Sequence, residues 1–166
     1  MTIEMTEAKK PKIIKANYIL QSKVGSGPLD EEVVRRSQEV MDNNNVDFSP
    51  LAMDFLKQLQ EAIATVKTGK FNTKEAMQAM TEPVMQLKAN AATFRYTLLG
   101  NLANVMLSFL EAVKELDEDV VRIVEAHHKT LSAIVIKKMQ GDGGQAGKQM
   151  EDELRAACKR YFSKKA

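Results

Sequence analysis

The sequence predicts an all-α protein: an elongated helical bundle of four to five helices with a long central helix and flexible basic arms at both ends. Three observations predict it. Leu87, Ala91, Phe94, Leu98, Leu102, Val105, Phe109, Ala112 and Leu116 recur at steps of three and four residues, the seam of a packed helix. Of the 166 residues none is Trp, 5% are aromatic and ten are Met, a core chemistry that suits helices better than strands. Ser49-Pro50, Asn72-Thr73-Lys74-Glu75, Gly69 and the glycines of 141–147 stand where helices of ordinary length begin and end.

Residues 1–28 read as a flexible basic arm, with five Lys against Glu4 and Glu7. Lys9-Lys10-Pro11-Lys12 is breaker-rich, and Val24-Gly25-Ser26-Gly27-Pro28 is a hinge. Ile13, Ile14, Tyr18, Ile19 and Leu20 are more apolar than a free tail requires. That strip either lies along the body's own groove or engages a second molecule.

The helical bundle is expected over 29–140. A first helix runs from about Leu29 to Met41, with Asp30, Glu31 and Glu32 in its electropositive first turn, and Asn43-Asn44-Asn45 stops it. Ser49 as N-cap with Pro50 behind it starts a second helix that ends at Gly69. Asn72 to Glu75 has the form of a capping box for a third. Pro83 then breaks or kinks the chain and opens the long central helix over 83–115, about 50 Å at 1.5 Å per residue. Its seam contains one four-residue stutter. Leu116-Asp117-Glu118-Asp119 is either a new N-cap or a continuation, and the helical pattern persists to Met139. A Gly-rich flexible linker over 141–147 leads to a C-terminal helix of about 148–162 and a basic tail, the 148–166 segment.

Charge and cysteine content narrow the function classes. Net charge is +2, but 1–28 carries +3 and 155–166 carries +5, which leaves −6 on the middle. Basic ends on an acidic body make nucleic acid the least favoured partner. Cys158 is the single cysteine, so an internal disulfide and a Cys-based zinc site are both excluded. No other metal or cofactor motif is found, and no catalytic triad can be assembled. The uncharged run Tyr96–Leu110 is 15 residues long, short of the roughly 20 that a membrane span needs. The acidic start Met-Thr-Ile-Glu is not a secretory signal, so the cytoplasm is the expected address.

That uncharged run asks for cover on every side. Either it is the middle helix of the bundle, or Leu98, Leu102, Val105 and Phe109 form a subunit interface in a homodimer with Asn90, Asn101 and Asn104 fixing register. The leading expectation is a non-catalytic regulatory or adapter protein that acts through protein–protein contacts and self-associates.

Two residue patterns point to phosphoryl chemistry. Asp54 and Gln58 lie one turn apart on the polar flank of the second helix. The pair resembles the Asp-x-x-x-Gln motif of the chemotaxis-type response-regulator phosphatases, which are elongated helical bundles. The resemblance implies that Gln58 orients a water for in-line attack on an aspartyl phosphate, while Asp54 orients the regulator's lysine. The partner would then be a response regulator. His127-His128-Lys129-Thr130-Leu131-Ser132-Ala133 partly resembles the signature of histidine phosphotransfer domains, although its Lys stands closer to the His and the Gly is absent. That resemblance implies His127 or His128 as phosphoryl acceptor. The competing readings are a solvated helix face for Asp54 and Gln58, and hydrogen-bonded boundary histidines for the pair.

Overall fold

The computed structural model describes residues 18, 22–23, 25, 27–28, 30–69 and 72–165. Among them the chain forms six helices and no strand. It divides between Asp42 and Asn43 into two units.

The first unit holds α1 (Glu31–Asp42). Asp30 Oδ1 accepts the Glu32 N–H at 2.9 Å, and Glu31 and Glu32 occupy the first turn, where the dipole favours acids. Arg35 reaches Glu32 at 2.7 Å and also pairs with Glu39, and Arg36 reaches Glu32 at 2.8 Å. No residue of α1 is buried.

The second unit holds α2 (Ser49–Lys67), α3 (Thr73–Ala91), α4 (Thr97–Ala112), α5 (Glu118–Ile136) and α6 (Gly144–Lys165). Ser49, the expected N-cap of α2, sits inside its first turn. The cap is supplied by Asp47, whose Oδ1 accepts the Ser49 N–H at 2.9 Å while Oδ2 takes Lys138 Nζ at 2.9 Å. α3 opens with the expected box: Asn72 Oδ1 accepts from Glu75 N at 2.9 Å, and Glu75 Oε2 from Asn72 N at 3.4 Å. The break expected at Pro83 does not occur, and the helix runs on to Ala91. A proline inside a helix costs about 3 kcal/mol. Burial of Met80, Pro83, Val84 and Leu87 in the same stretch offsets it, at about 1.5–3 kcal/mol for each large side chain.

The single helix expected over 83–115 is two helices joined by a turn at 92–96. Tyr96 N–H donates back to Ala91 O at 2.8 Å, and Arg95 takes the left-handed conformation, φ 61°, that ends many helices. Phe94 leaves the helical path to stack on Phe48 at 4.6 Å, with Tyr96 edge-on to the same ring at 5.6 Å. The stutter Phe94–Leu98–Leu102 lies at this turn.

α2, α3, α4 and α5 pack as a closed ring, each against its two neighbours, and α6 covers the seam between α4 and α5. The chain does turn before α5, where Asp117 Oδ1 accepts the Val120 N–H at 2.9 Å. α4 is thereby covered on its apolar sides by α3, α5 and α6, with Thr97, Asn101 and Ser108 left exposed, and Leu98, Leu102, Val105 and Phe109 are at most 4% exposed. The residues expected at a subunit interface are the core of the bundle itself. At Gly100 a Cβ would stand 3.3 Å from Ala91 Cβ, so α3 and α4 approach closely there.

The segment expected as a flexible linker over 141–147 is a packed turn that enters α6 at Gly144. Gly141 N–H donates to Arg95 O at 2.6 Å, and Leu98 N–H donates to Gly141 O at 2.8 Å, which fastens this turn to the start of α4. A Cβ on Gly143 would lie 2.7 Å from Leu98 Cδ2, and one on Gly147 would lie 2.2 Å from the backbone oxygen of Asp142. Glycine is required here for contact.

Gly147→Ala tests this. Alanine in a helix gains about 1 kcal/mol over glycine, so an open site would be stabilised. With a backbone oxygen at 2.2 Å the turn must shift instead. The expected net loss is about 2 kcal/mol, a fall in melting temperature of roughly 4–8 °C. Gly100→Ala, with only a slightly tight methyl contact, should stay within about 1 kcal/mol.

Candidate functional site

Asp54 and Gln58 are both exposed, on the solvent side of α2 opposite its core residues Ala52, Leu56, Leu59 and Ile63. Their one-turn separation on a capped helix holds the carboxylate and the amide on one surface. Both are accessible to a macromolecular partner.

The histidines are placed differently. His127 is 0% exposed, among Val124, Leu131 and Ile134 on the inner face of α5. Its Nδ1 lies 2.9 Å from Ile123 O; a carbonyl can only accept, so Nδ1 carries the proton and donates. Nε2 is then a bare lone pair, buried with no hydrogen-bond partner among the described residues. Burial lowers the His127 pKa, with the bond to Ile123 opposing. His128 is half-buried, and its Nε2–H donates to Leu56 O of α2 at 3.1 Å. Burial lowers its pKa too, against the Leu56 bond. A phosphoryl acceptor needs an open nitrogen facing solvent. In this conformation His127 Nε2 is sealed and His128 Nε2 is spent on the α2–α5 seam.

Of the expected partner-binding strip, Tyr18 is exposed, while Ile13, Ile14, Ile19 and Leu20 lie outside the described residues. Cys158 does not become acidic in its cationic helix. Burial pushes its thiol up to about 11, which outweighs Arg155. Among the described residues no group of three His, Cys, Asp or Glu side chains is placed to hold a metal ion, and no helix is long and apolar enough to cross a membrane.

Sequence reasoning passed over two features. The first is the apolar face of α1. Val33, Val34, Val40 and Met41 are 56%, 49%, 73% and 47% exposed. Their spacing of i, i+1, i+7 and i+8 collects them on one side, with Ser37 between. Charged side chains fill the other side, and the spacing alone would have revealed this stripe. The second is the carboxylate of Asp117. Its Oδ2 accepts from Lys165 Nζ at 2.9 Å and from the Tyr161 hydroxyl at 3.3 Å, which fastens the end of α6 to the start of α5. No spacing rule links residues that far apart.

No family model matches the chain, and no curated protein or solved structure is significantly similar to it.

The buried imidazole of His127 and the half-buried one of His128 set a pH window. The folded chain holds both neutral, so the stability they carry is complete above their ordinary value of 6.5 and is lost as pH falls below it. Asp47, held down to about 2 chiefly by Lys138, adds a separate loss that begins only as pH falls through 3.8. Melting temperature should therefore be flat above about pH 7 and decline toward about pH 5. His127→Leu, which removes the orphaned acceptor at similar volume, should keep or raise stability at neutral pH. It should also flatten most of the decline. An unchanged slope would show that His127 is not its source.

Proposed function

We propose that the protein is a non-catalytic helical regulator or adapter of the cytoplasm that acts through protein–protein contacts. The observation that carries this reading is α1: an amphipathic helix with no buried residue and four large apolar side chains in water. A 12-residue helix does not hold such a face exposed for its own stability. Presenting it to a groove on another protein is the known use of such a helix. The basic arm over 1–28 precedes it in the chain. Self-association, where it occurs, runs through this stripe, because the Leu98–Phe109 seam is spent on the core.

Val34→Lys with Met41→Lys tests it. Both positions are exposed, so stability should move by no more than about 0.5 kcal/mol each. Proteins recovered with the full chain from its native cell, or a second copy of the chain detected by light scattering, should be lost with the variant by tenfold or more. An identical set of partners with both proteins would remove α1 from the function.

A second reading is a response-regulator phosphatase, favoured by the joint exposure of Asp54 and Gln58 on one face of α2. Gln58 would act only by placing water in the transition state, so Gln58→Ala should abolish accelerated phosphate loss from a phosphorylated response regulator and leave binding intact. Asp54→Ala should weaken both. Phosphate release measured across the response regulators of the same cell, with and without the protein, decides it. No acceleration with any of them ends this reading.

A further inference from the structure

A shallow groove runs between α5 and α6, with a volume of about 260 Å³. Ile123 and Ala126 of α5 and Ala157 of α6 form its apolar floor, and Arg122, Arg160 and Lys164 stand around it. Asp119 is the one carboxylate of the lining, and it is paired with Arg122. Arg160 and Lys164 have no acidic partner among the described residues. They stand four apart on one helix, a like-charge arrangement that costs a few tenths of a kcal/mol. The helix dipole accounts for cations in the last turn of α6. It does not account for Arg160, which stands before that turn, and Arg122 on the other helix, though held by Asp119, adds its charge beside the exposed Ala126.

We propose that the α5–α6 groove is a docking site for an acidic amphipathic helix of a protein partner. Three cations against one carboxylate select an anionic occupant, and the alanines let a helix backbone come close over an apolar floor. The volume lies below the roughly 300–1,000 Å³ of small-molecule pockets, which suits one or two side chains inserted from a longer segment. A nucleic-acid strand is disfavoured because the groove offers no base-stacking platform. Its one aromatic residue, Tyr161, is 7% exposed and turns its hydroxyl to Asp117. The inference rests on the reading of the protein as an adapter, but it uses a surface separate from α1.

The test titrates a synthetic helix of about 14 residues, four turns of Leu, Ala and Glu with leucines on one face, into the full isotope-labelled chain. Chemical shifts should move at Ala126, Ala157 and Arg160. Arg160→Glu with Lys164→Glu should weaken binding at least tenfold, and Ala126→Phe, which fills the floor without changing charge, should do the same. Circular dichroism and the shifts of α3 check that both variants remain folded. Equal binding of a peptide with every Leu replaced by Ser would overturn the proposal, because it would mark a plain polyanion surface. Tighter binding of a single-stranded RNA that displaces the peptide would overturn it in favour of nucleic acid. Absence of binding at millimolar peptide, or binding indifferent to the variants, would also end it. If the peptide fails while the α1 variant still loses its cellular partners, the groove is discarded and the adapter reading stands.

Discussion

The uncharged stretch of α4 from Thr97 to Leu110 offers water only the narrow polar strip of Thr97, Asn101 and Ser108, and most of the second unit follows from covering the rest. Two neighbours in a four-helix ring shield two flanks of α4, and the remaining flank would stay open. α6 supplies the missing cover. Its approach depends on glycine: side chains at 143 and 147 would collide with Leu98 and with the backbone of Asp142. The backbone bonds between Gly141 and residues 95 and 98 then hold two turns together at the head of α4, where helix N–H groups would otherwise lack partners. Burial of one uncharged helix and the close fit of one turn are thus a single constraint seen from two sides.

Two aspartates serve the same structural office. Asp47 caps α2 and binds Lys138 beyond the end of α5; Asp117 caps α5 and binds Lys165 at the end of α6. Each carboxylate gives one oxygen to an orphaned N–H in the first turn of the helix that follows it and the other to a lysine at or just past the end of a different helix. Exposed pairs of this kind contribute little energy singly. Their value lies in register, because each fixes where one helix starts relative to where another stops.

Much of this was legible in the sequence, and the exceptions have physical causes. The box at Asn72 and Glu75 is local chemistry, so it could be read from spacing. The core residues Leu87 through Phe109 were legible because both halves of the seam face one core. The turn between them was hidden: Ala91 and Ala92 are good helix formers, Arg95 adopts a left-handed conformation usually left to glycine, and only the stutter recorded the change. The glycines of 141–147 were misread because close packing and flexibility demand the same residue. His127 and His128 flank the same face of α5 by period, and only the packing of the bundle seals the first and sets the second against Leu56 of α2. Asp54 and Gln58 keep the exposure that their polar flank implied, and exposure alone assigns no chemistry. The apolar face of α1 could have been counted from Val33, Val34, Val40 and Met41.

The ring of helices also bears on how the chain reaches its native state. Most packing joins helices that are consecutive in sequence, and such neighbours meet early in a search because little chain separates them. The α4–α6 contact skips one helix, and the α2–α5 seam skips two. Its hydrogen bond from His128 to Leu56 spans 72 residues and the Lys138–Asp47 contact spans 91, against 16 for Lys88 to Asn104 between α3 and α4. By loop-closure entropy the 72-residue span costs about 1.3 kcal/mol more to close than the 16-residue one. The ring therefore has a natural clasp. The partly sealed imidazole of His128 sits on it, at the contact whose formation completes the circle and whose rupture reopens it.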